Sequence, residues 1–111
     1  MNILSELNQA LSDMGFDVET GVFSGEAPDE YIVLTSMSDT FPLFADNMPV
    51  VEAQEVRISL FSKKNYINRK KQMVKNLLDL GFTITGQNHL GREDDTGFFH
   101  AAVDVVKSYE F

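Results

Sequence analysis

The stretch from residue 56 to residue 84 constrains the fold most, because it predicts a strand, a helix and a second strand in direct succession. Residues 56–61 alternate apolar and polar side chains, which is the period of a half-buried strand. Residues 66–80 carry an apolar set at helical spacing, namely Ile67, Val74, Leu77 and Leu78. Neither element can bury its apolar side alone, so the rest of the chain must supply a sheet for them.

A first helix is predicted over residues 2–14, and it ends in the same way as the second. Asn2 is a candidate N-cap. Gly15-Phe16 and Gly81-Phe82 follow the two helices, so each glycine can adopt the left-handed conformation while the phenylalanine folds back on the last turn. We therefore expect two units with the same helix-glycine-strand pattern, both packed on a single sheet. The apolar stripe of the first helix consists of Ile3, Leu4, Leu7, Leu11 and Met14.

The remaining pattern predicts an α+β fold in a single domain, residues 1–111. We expect one mixed, mostly antiparallel sheet of about four to five strands with two helices packed on it, in the order α-β-β-β-α-β-β. Strands are predicted at 18–23, 31–35, 50–61, 82–87 and 98–109. A turn is predicted at 24–29, and loops are predicted at 38–49 and 88–97.

Composition and charge limit the classes of function that the protein can have. The chain has 111 residues, no cysteine and a net charge of −8. The missing cysteines exclude disulfides and thiol catalysis. The acidic balance argues against sequence-specific recognition of duplex DNA, because Lys and Arg contacts to phosphate supply most of that affinity. No apolar run approaches the ~20 residues that span a bilayer, so we expect no membrane partner and synthesis in the cytosol.

The positive charge is concentrated on the second helix. Six of the nine basic residues lie on or just before it: Lys63, Lys64, Arg69, Lys70, Lys71 and Lys75. A solvated helix face is one explanation. The other is a contact between the basic side of one copy and the acidic side of the next, in which charge sets orientation more than affinity.

The predicted loop at 38–49 has an unusual apolar content, since Phe41, Leu43, Phe44 and Met48 stand beside acidic residues. Such a patch lowers solubility unless something covers it. Either the loop folds back on its own sheet, or it is an arm that docks on a neighbouring copy.

Candidate catalytic chemistry is sparse. A Gly-rich phosphate loop after a strand and a nucleophile in a recognisable motif are both missing. His89, Glu93, Asp94, Asp95 and His100 form the one cluster that suits a metal, but the acids lie on a predicted turn with ordinary turn chemistry. We therefore predict no enzyme activity, no cofactor and no metal. A basic helix touching single-stranded nucleic acid is a weaker alternative, because stacking platforms come with a basic groove.

Five segments follow one another along the chain: Glu30-Tyr31-Ile32-Val33, Phe44-Ala45-Asp46-Asn47, residues 56–63, the helix ending Leu78-Asp79-Leu80-Gly81-Phe82, and residues 93–100. Taken in this order, they resemble segments of the small tail-completion, or tail-terminator, proteins of long-tailed phages and prophages. The resemblance covers about residue 30 onward. None of these segments is a catalytic signature.

The resemblance implies a structural virion protein in which several copies, usually six, form a ring at the head-proximal end of the tail tube. Such a ring stops tail polymerisation and joins the tail to the head connector. It implies tail tube and connector proteins as partners, a place in the virion tail, and assembly in the bacterial cytoplasm. The alternative from the residues alone is a monomeric acidic adaptor that binds through the basic helix, residues 63–75.

Overall fold

The computed structural model describes residues 2–20, 28–64 and 66–111. Two helices and five strands follow in the predicted order: α1 (Ile3–Asp13), β1 (Val18–Thr20), β2 (Glu30–Ala45), β3 (Met48–Ser62), α2 (Ile67–Asp79), β4 (Thr83–Arg92) and β5 (Phe99–Glu110). The strands form one mixed sheet in the spatial order β1-β2-β3-β5-β4, in which β1 and β2 are parallel and the other neighbours antiparallel. The predicted α+β class is therefore confirmed. The predicted end of the first strand, 21–23, and most of the turn at 24–29 lie outside the described residues.

The core lies between the two helices and the face of the sheet that they cover. We call this face of the sheet the helix face. On β3, Val56, Ile58 and Leu60 are each at most 1% exposed, which confirms the alternation predicted for that strand. Their cross-strand partners point the same way. The buried cluster that results comprises Ile3, Leu7, Leu11, Phe16, Ile32, Leu34, Val56, Ile58, Leu60, Met73, Leu77, Phe82, Val103 and Val105.

Both helices end as the sequence predicts. Gly15 and Gly81 have φ angles of +91° and +92°. The Phe16 and Phe82 amides donate to the carbonyls of Leu11 and Leu77 at 3.1 and 3.0 Å, which is the long bond of the Schellman motif. At the other end of α1, the Asn2 Oδ1 accepts the Ser5 N–H at 2.9 Å. The chain therefore leaves each helix at a fixed angle and enters the sheet directly.

The buried side of α2 differs from the prediction. Lys70, Met73 and Leu77 are its buried residues, whereas Ile67 and Leu78 are more than half exposed. Lys70 takes an inward position because its apolar stem packs inside while its ammonium reaches Gln87. Beside the start of β5, Phe98 is 8% exposed and buried, whereas Phe99 is only half-buried.

The predicted loop at 38–49 is wrong, because these residues continue β2 and β3 as a long hairpin. Asp46 and Asn47 form its two-residue turn, with φ angles of +52° and +63°. Register shifts between Thr40 and Leu43 place Pro42 at an irregularity, where a missing N–H costs no ladder bond. The predicted loop at 88–97 is also partly wrong, since β4 runs on to Arg92.

We call the distal part of this hairpin, residues 36–50, the arm. Every residue from 35 to 48 is exposed, and the outer edge of β2 has no partner strand beyond residue 34 within the described residues. The molecule is accordingly elongated, with extents of 54 × 26 × 23 Å.

Candidate interaction surfaces

The arm presents its apolar side chains to solvent and does not fold back on the sheet. Phe41 is 40% exposed, Leu43 55%, Phe44 56% and Met48 66%. The Phe41 ring meets the edges of Phe44 and Phe111, with centroids 6.3 and 4.7 Å apart. Phe41, Phe44 and the 68% exposed Phe111 are thus in contact, and Leu43 and Met48 lie on the same hairpin. We call these five exposed side chains at the end of the molecule the apolar patch.

The basic residues of the second helix divide into two groups. Arg69 and Lys70 face inward: Arg69 pairs with Glu30 at 3.0 Å and lies over the Phe16 ring, and the buried Lys70 ammonium donates to Gln87 at 2.7 Å. Both therefore contribute to holding α2 against the sheet.

The second group faces solvent and consists of Lys63, Lys64, Lys71 and Lys75. Lys63 lies 3.9 Å from Asp29 and over the Phe98 ring. Within the ranges 2–20, 28–64 and 66–111, the other three make no ion pair. Lys64, Lys71 and Lys75 therefore give α2 and the segment before it a positive surface, whereas Lys63 lies against the Phe98 ring.

The structure separates the two candidate surfaces. β2 begins at Glu30, beside Arg69 and the start of α2, and ends at the tip of the arm. At ~3.3 Å per residue, its 16 residues span about 50 Å. The basic residues before α2 and the apolar arm therefore lie near opposite ends of the molecule.

The sheet face opposite the helices, which we call the open face, carries a feature that sequence analysis missed. Tyr31, Phe61 and His100 are register neighbours on β2, β3 and β5. Their rings stack across the three strands, with centroids 4.8 and 4.2 Å apart. Knowledge of the strand register would have been needed to find this stack, since the residues are far apart in sequence.

His100 is the titratable group in that stack. Its Nε2 atom is buried and has no hydrogen-bond partner in the described part of the chain. Burial lowers the pKa of His100, the charge of Glu93 opposes that effect, and Arg57 adds to it. Further along the same face, Arg57 pairs with Asp104 through two hydrogen bonds of 2.8 and 3.1 Å.

The candidate metal residues are dispersed. A 2.7 Å hydrogen bond joins His89 Nδ1 to the Tyr66 hydroxyl, on the helix side of the sheet. Glu93 accepts from Thr96 within the turn, and His100 lies on the open face. Across residues 2–20, 28–64 and 66–111, no group of three or more His, Cys, Asp or Glu side chains converges as metal ligands would.

Comparison with models of known protein families finds no match, and a search of curated proteins finds no similar sequence. Neither described helix is long and apolar enough to cross a membrane. The likeness to tail-completion proteins therefore stays a prediction from the ordered segments of the sequence.

Proposed function

We propose that this protein is a structural subunit that assembles head to tail into a ring, and that the ring is the tail-completion ring of a long-tailed phage or prophage. The observation that carries the proposal is the arm. It is a long hairpin, interrupted by register shifts, that places a patch of large apolar side chains in solvent, away from the core. Exposed patches of this kind are typical of surfaces that a partner covers.

The energetics favour a covered arm. Burying the exposed part of one such side chain is worth about 1 kcal/mol, since full burial of a large apolar side chain is worth about 1.5–3 kcal/mol. Five apolar side chains in the patch would supply several kcal/mol. Association also has an entropic cost, so the arm needs further contacts to give a stable ring.

The asymmetry of the molecule favours a ring over an isologous dimer. The arm carries Asp39 and Asp46 and no basic residue, whereas the outer surface of α2 carries the exposed lysines Lys71 and Lys75. When the arm of one copy binds the basic surface of the next, the pair still has one free arm and one free basic surface. Further copies can therefore add until a closed ring forms. Charge of opposite sign would orient the encounter.

The net charge of −8 is consistent with a ring through which DNA passes. A lumen that lets the duplex slide should not hold its phosphates, and an acidic wall repels them. The partners in this proposal are other copies of the chain, the tail tube protein and the head connector, and the product is part of the virion tail.

The test is a pair of substitutions in the arm, Phe41→Ser with Phe44→Ser. Both side chains are exposed, so the variant should keep the free energy of unfolding of the parent and lose self-association. It should also fail to co-sediment with tail tubes. Leu90→Ser is the matched control, because Leu90 is 57% exposed on β4, away from the arm, and this variant should assemble normally. An arm variant that unfolds, or one that still assembles, would refute the proposal.

The exposed lysines support the second candidate, a monomeric adaptor that binds an acidic partner through α2. That function predicts no self-association at any protein concentration. It also predicts that Lys71→Glu with Lys75→Glu abolishes partner binding while Phe41→Ser with Phe44→Ser does not.

A further inference from the structure

We propose that the arm of one copy joins the free edge of β4 in the next copy as an added strand, and that it packs there against α2. This inference rests on the head-to-tail assembly proposed above and identifies the surface that the arm contacts. The occupant is residues 36–50 of a second copy. We call the receiving surface, which consists of the free edge of β4 and the side of α2 next to it, the β4 side.

The sheet has a free edge on each of its two sides. β4 is the last strand in the order β1-β2-β3-β5-β4, so its outer edge has no partner strand among residues 2–20, 28–64 and 66–111. On the opposite side, β2 continues past the three residues that pair with β1. The free N–H and C=O groups of such edges favour pairing with another strand. Because the two edges are different, joining them is a head-to-tail contact.

The free edge of β4 lacks two common protections against strand addition. It contains no lysine and no proline. Two register shifts interrupt its pairing with β5 and leave residues 86–89 as a regular segment. On the arm, residues 38–40 pair regularly with β3 before the irregularity at Pro42. Each copy therefore has a short regular segment on both edges, and Leu90 lies at a register shift outside the segment on β4.

α2 carries an exposed apolar stripe that its packing on the sheet does not use. Ile67 is 55% exposed, Val74 is half-buried and Leu78 is 53% exposed. Their spacing of seven and four residues places them on one side of the helix, and the exposed Lys71 lies between them on that side. The stripe thus offers apolar surface with one positive charge.

The contacts of α2 show that this stripe borders β4. The Lys70 ammonium donates to Gln87, and the Tyr66 hydroxyl is hydrogen-bonded to His89, so the inward side of α2 reaches β4. Asn76, on the other flank of the helix, borders the groove between α1 and α2. Around the helix, the stripe lies next to Lys70 and opposite Asn76, which places it beside the free edge of β4.

The arm carries matching groups on the face that would meet this stripe. Asp39 is the register partner of Gln54, whose Oε1 accepts the Ile3 N–H of α1 at 2.8 Å, so Asp39 lies on the helix face. Phe41 is two residues further along the strand, and alternate residues share a face. A strand added to β4 continues the helix face, and it therefore brings Asp39 and Phe41 toward Lys71 and its apolar neighbours.

Charge selects the β4 side over the groove between α1 and α2. Residues 67–78 and 83–92 contain no carboxylate. The groove is bordered by Glu6, Asp13 and Asp79, which repel an acidic arm. The β4 side is thus the more favourable of the two surfaces for the arm.

The carboxylates closest to β4 lie on the other face of the sheet. Glu55 accepts from Thr85 at 3.3 Å, and Asp104 is paired with Arg57, both on the open face. Within the described residues, Lys71 on the helix side has no ion pair. Asp39 of an added arm therefore meets an available cation.

Charge reversal tests the contact between Asp39 and Lys71. Asp39→Lys and Lys71→Glu should each raise the protein concentration at half-assembly about tenfold, because each places like charges across the contact. Both substitutions in one chain restore opposite charges and should return that concentration to within about threefold of the parent value. Lys75→Glu is the matched control, since Lys75 is an exposed lysine of α2 that borders the groove, and it should not rescue Asp39→Lys.

Rescue of Asp39→Lys by Lys75→Glu and not by Lys71→Glu would overturn the β4 side as the acceptor. Unchanged assembly of Lys71→Glu would overturn it as well. In both cases the ring itself, measured by light scattering, would stand.

Cysteine crosslinking tests the added strand, because the chain contains no cysteine. Thr40→Cys marks the arm and Asn88→Cys marks β4, and the strand register places both on the open face. Asn76→Cys is the matched control, an exposed asparagine in the groove. The Thr40→Cys protein carries a size tag, so that mixed products are recognised by mass after treatment with a short bismaleimide.

We expect about tenfold more mixed dimer from Thr40→Cys with Asn88→Cys than from Thr40→Cys with Asn76→Cys, since adjacent strands lie about 5 Å apart. Equal yields, more product with Asn76→Cys, or no product from either pair while light scattering shows a ring would overturn the added strand and leave head-to-tail assembly standing. A monomeric mass at every concentration, with and without tail tubes, would overturn both proposals.

Discussion

Two glycines fix the paths by which the chain enters the sheet. Gly15 and Gly81 both have a φ near +90°, which L side chains adopt at a cost. A Cβ at Gly15 would meet no atom within 4 Å, and one at Gly81 would meet the Lys107 Cε at 4.0 Å. Space is therefore available at both positions, and any cost of a side chain comes from the backbone alone.

We expect Gly81→Ala to lower the free energy of unfolding by about 1–2 kcal/mol, the cost of a left-handed L-residue. Chemical denaturation measures it. Gly86→Ala is the control, because Gly86 has an ordinary φ and its Cβ would meet Asp104 Oδ2 at an acceptable 3.6 Å. That variant should stay within about 0.5 kcal/mol of the parent. Equal effects of the two substitutions would contradict the role given to the helix end.

His100 makes stability depend on pH in a direction that its surroundings determine. Its pKa is lower in the folded protein than in the unfolded chain, where it is about 6.5. Between these two values the unfolded chain binds more protons, so stability rises with pH. The contribution is complete above about pH 6.5 and is lost as the pH falls toward the folded pKa.

His100→Phe keeps a ring against Phe61 and removes the titration. Between pH 7.5 and pH 5.5, the variant should therefore lose less stability than the parent, as measured by urea midpoints. Carboxylate titrations affect both proteins and cancel in the comparison. An identical loss in the two proteins would show that the imidazole is not held neutral.

At the scale of elements, the sequence predicted what depends on local chemistry. The helix ends, the alternation on β3 and the α1 stripe all follow from residues close in the chain, and the structure has each of them. The arm was missed because its apolar residues and two prolines resemble a loop when read alone. The turn pair Asp46-Asn47 was the available signal, since two positive φ angles favour such residues in a two-residue hairpin.

The open-face stack could not be predicted from sequence in the same way. Tyr31, Phe61 and His100 become neighbours only through strand register, which depends on the whole sheet. The face of α2 was also misjudged, because Leu78 is apolar and Lys70 is charged. Met73 and Leu77 determine which side of α2 faces the sheet, and Lys70 lies on that side whereas Leu78 does not. Burial along α2 therefore depends on the rotation of the helix and not on the hydropathy of each residue.

That phase can be tested with two adjacent leucines. Leu77 is fully buried and Leu78 is 53% exposed. Leu77→Ala should lower the free energy of unfolding by about 2–5 kcal/mol, the range for a buried leucine. Leu78→Ala should change it by about 0.5 kcal/mol or less. Thermal or urea unfolding of the two variants measures both changes. A larger loss of unfolding free energy for Leu78→Ala than for Leu77→Ala would mean that α2 is rotated from its described position.

At the scale of the whole molecule, the described residues present three different surfaces. An apolar arm projects from one end, lysines line the outside of α2, and the open face carries an aromatic stack beside an Arg57–Asp104 pair. The arm and the basic surface differ in charge and shape. This asymmetry is the reason that we propose head-to-tail assembly into a ring rather than an isologous dimer.

The most direct test of this account is the solution mass, measured by light scattering after gel filtration at rising protein concentration and at two salt concentrations. We expect a ring-sized species whose share of the protein rises with protein concentration. That share should fall at the higher salt concentration, because salt screens the contact between the acidic arm and the lysines of α2. A monomer at every concentration, together with failure to co-sediment with tail tubes, would contradict it.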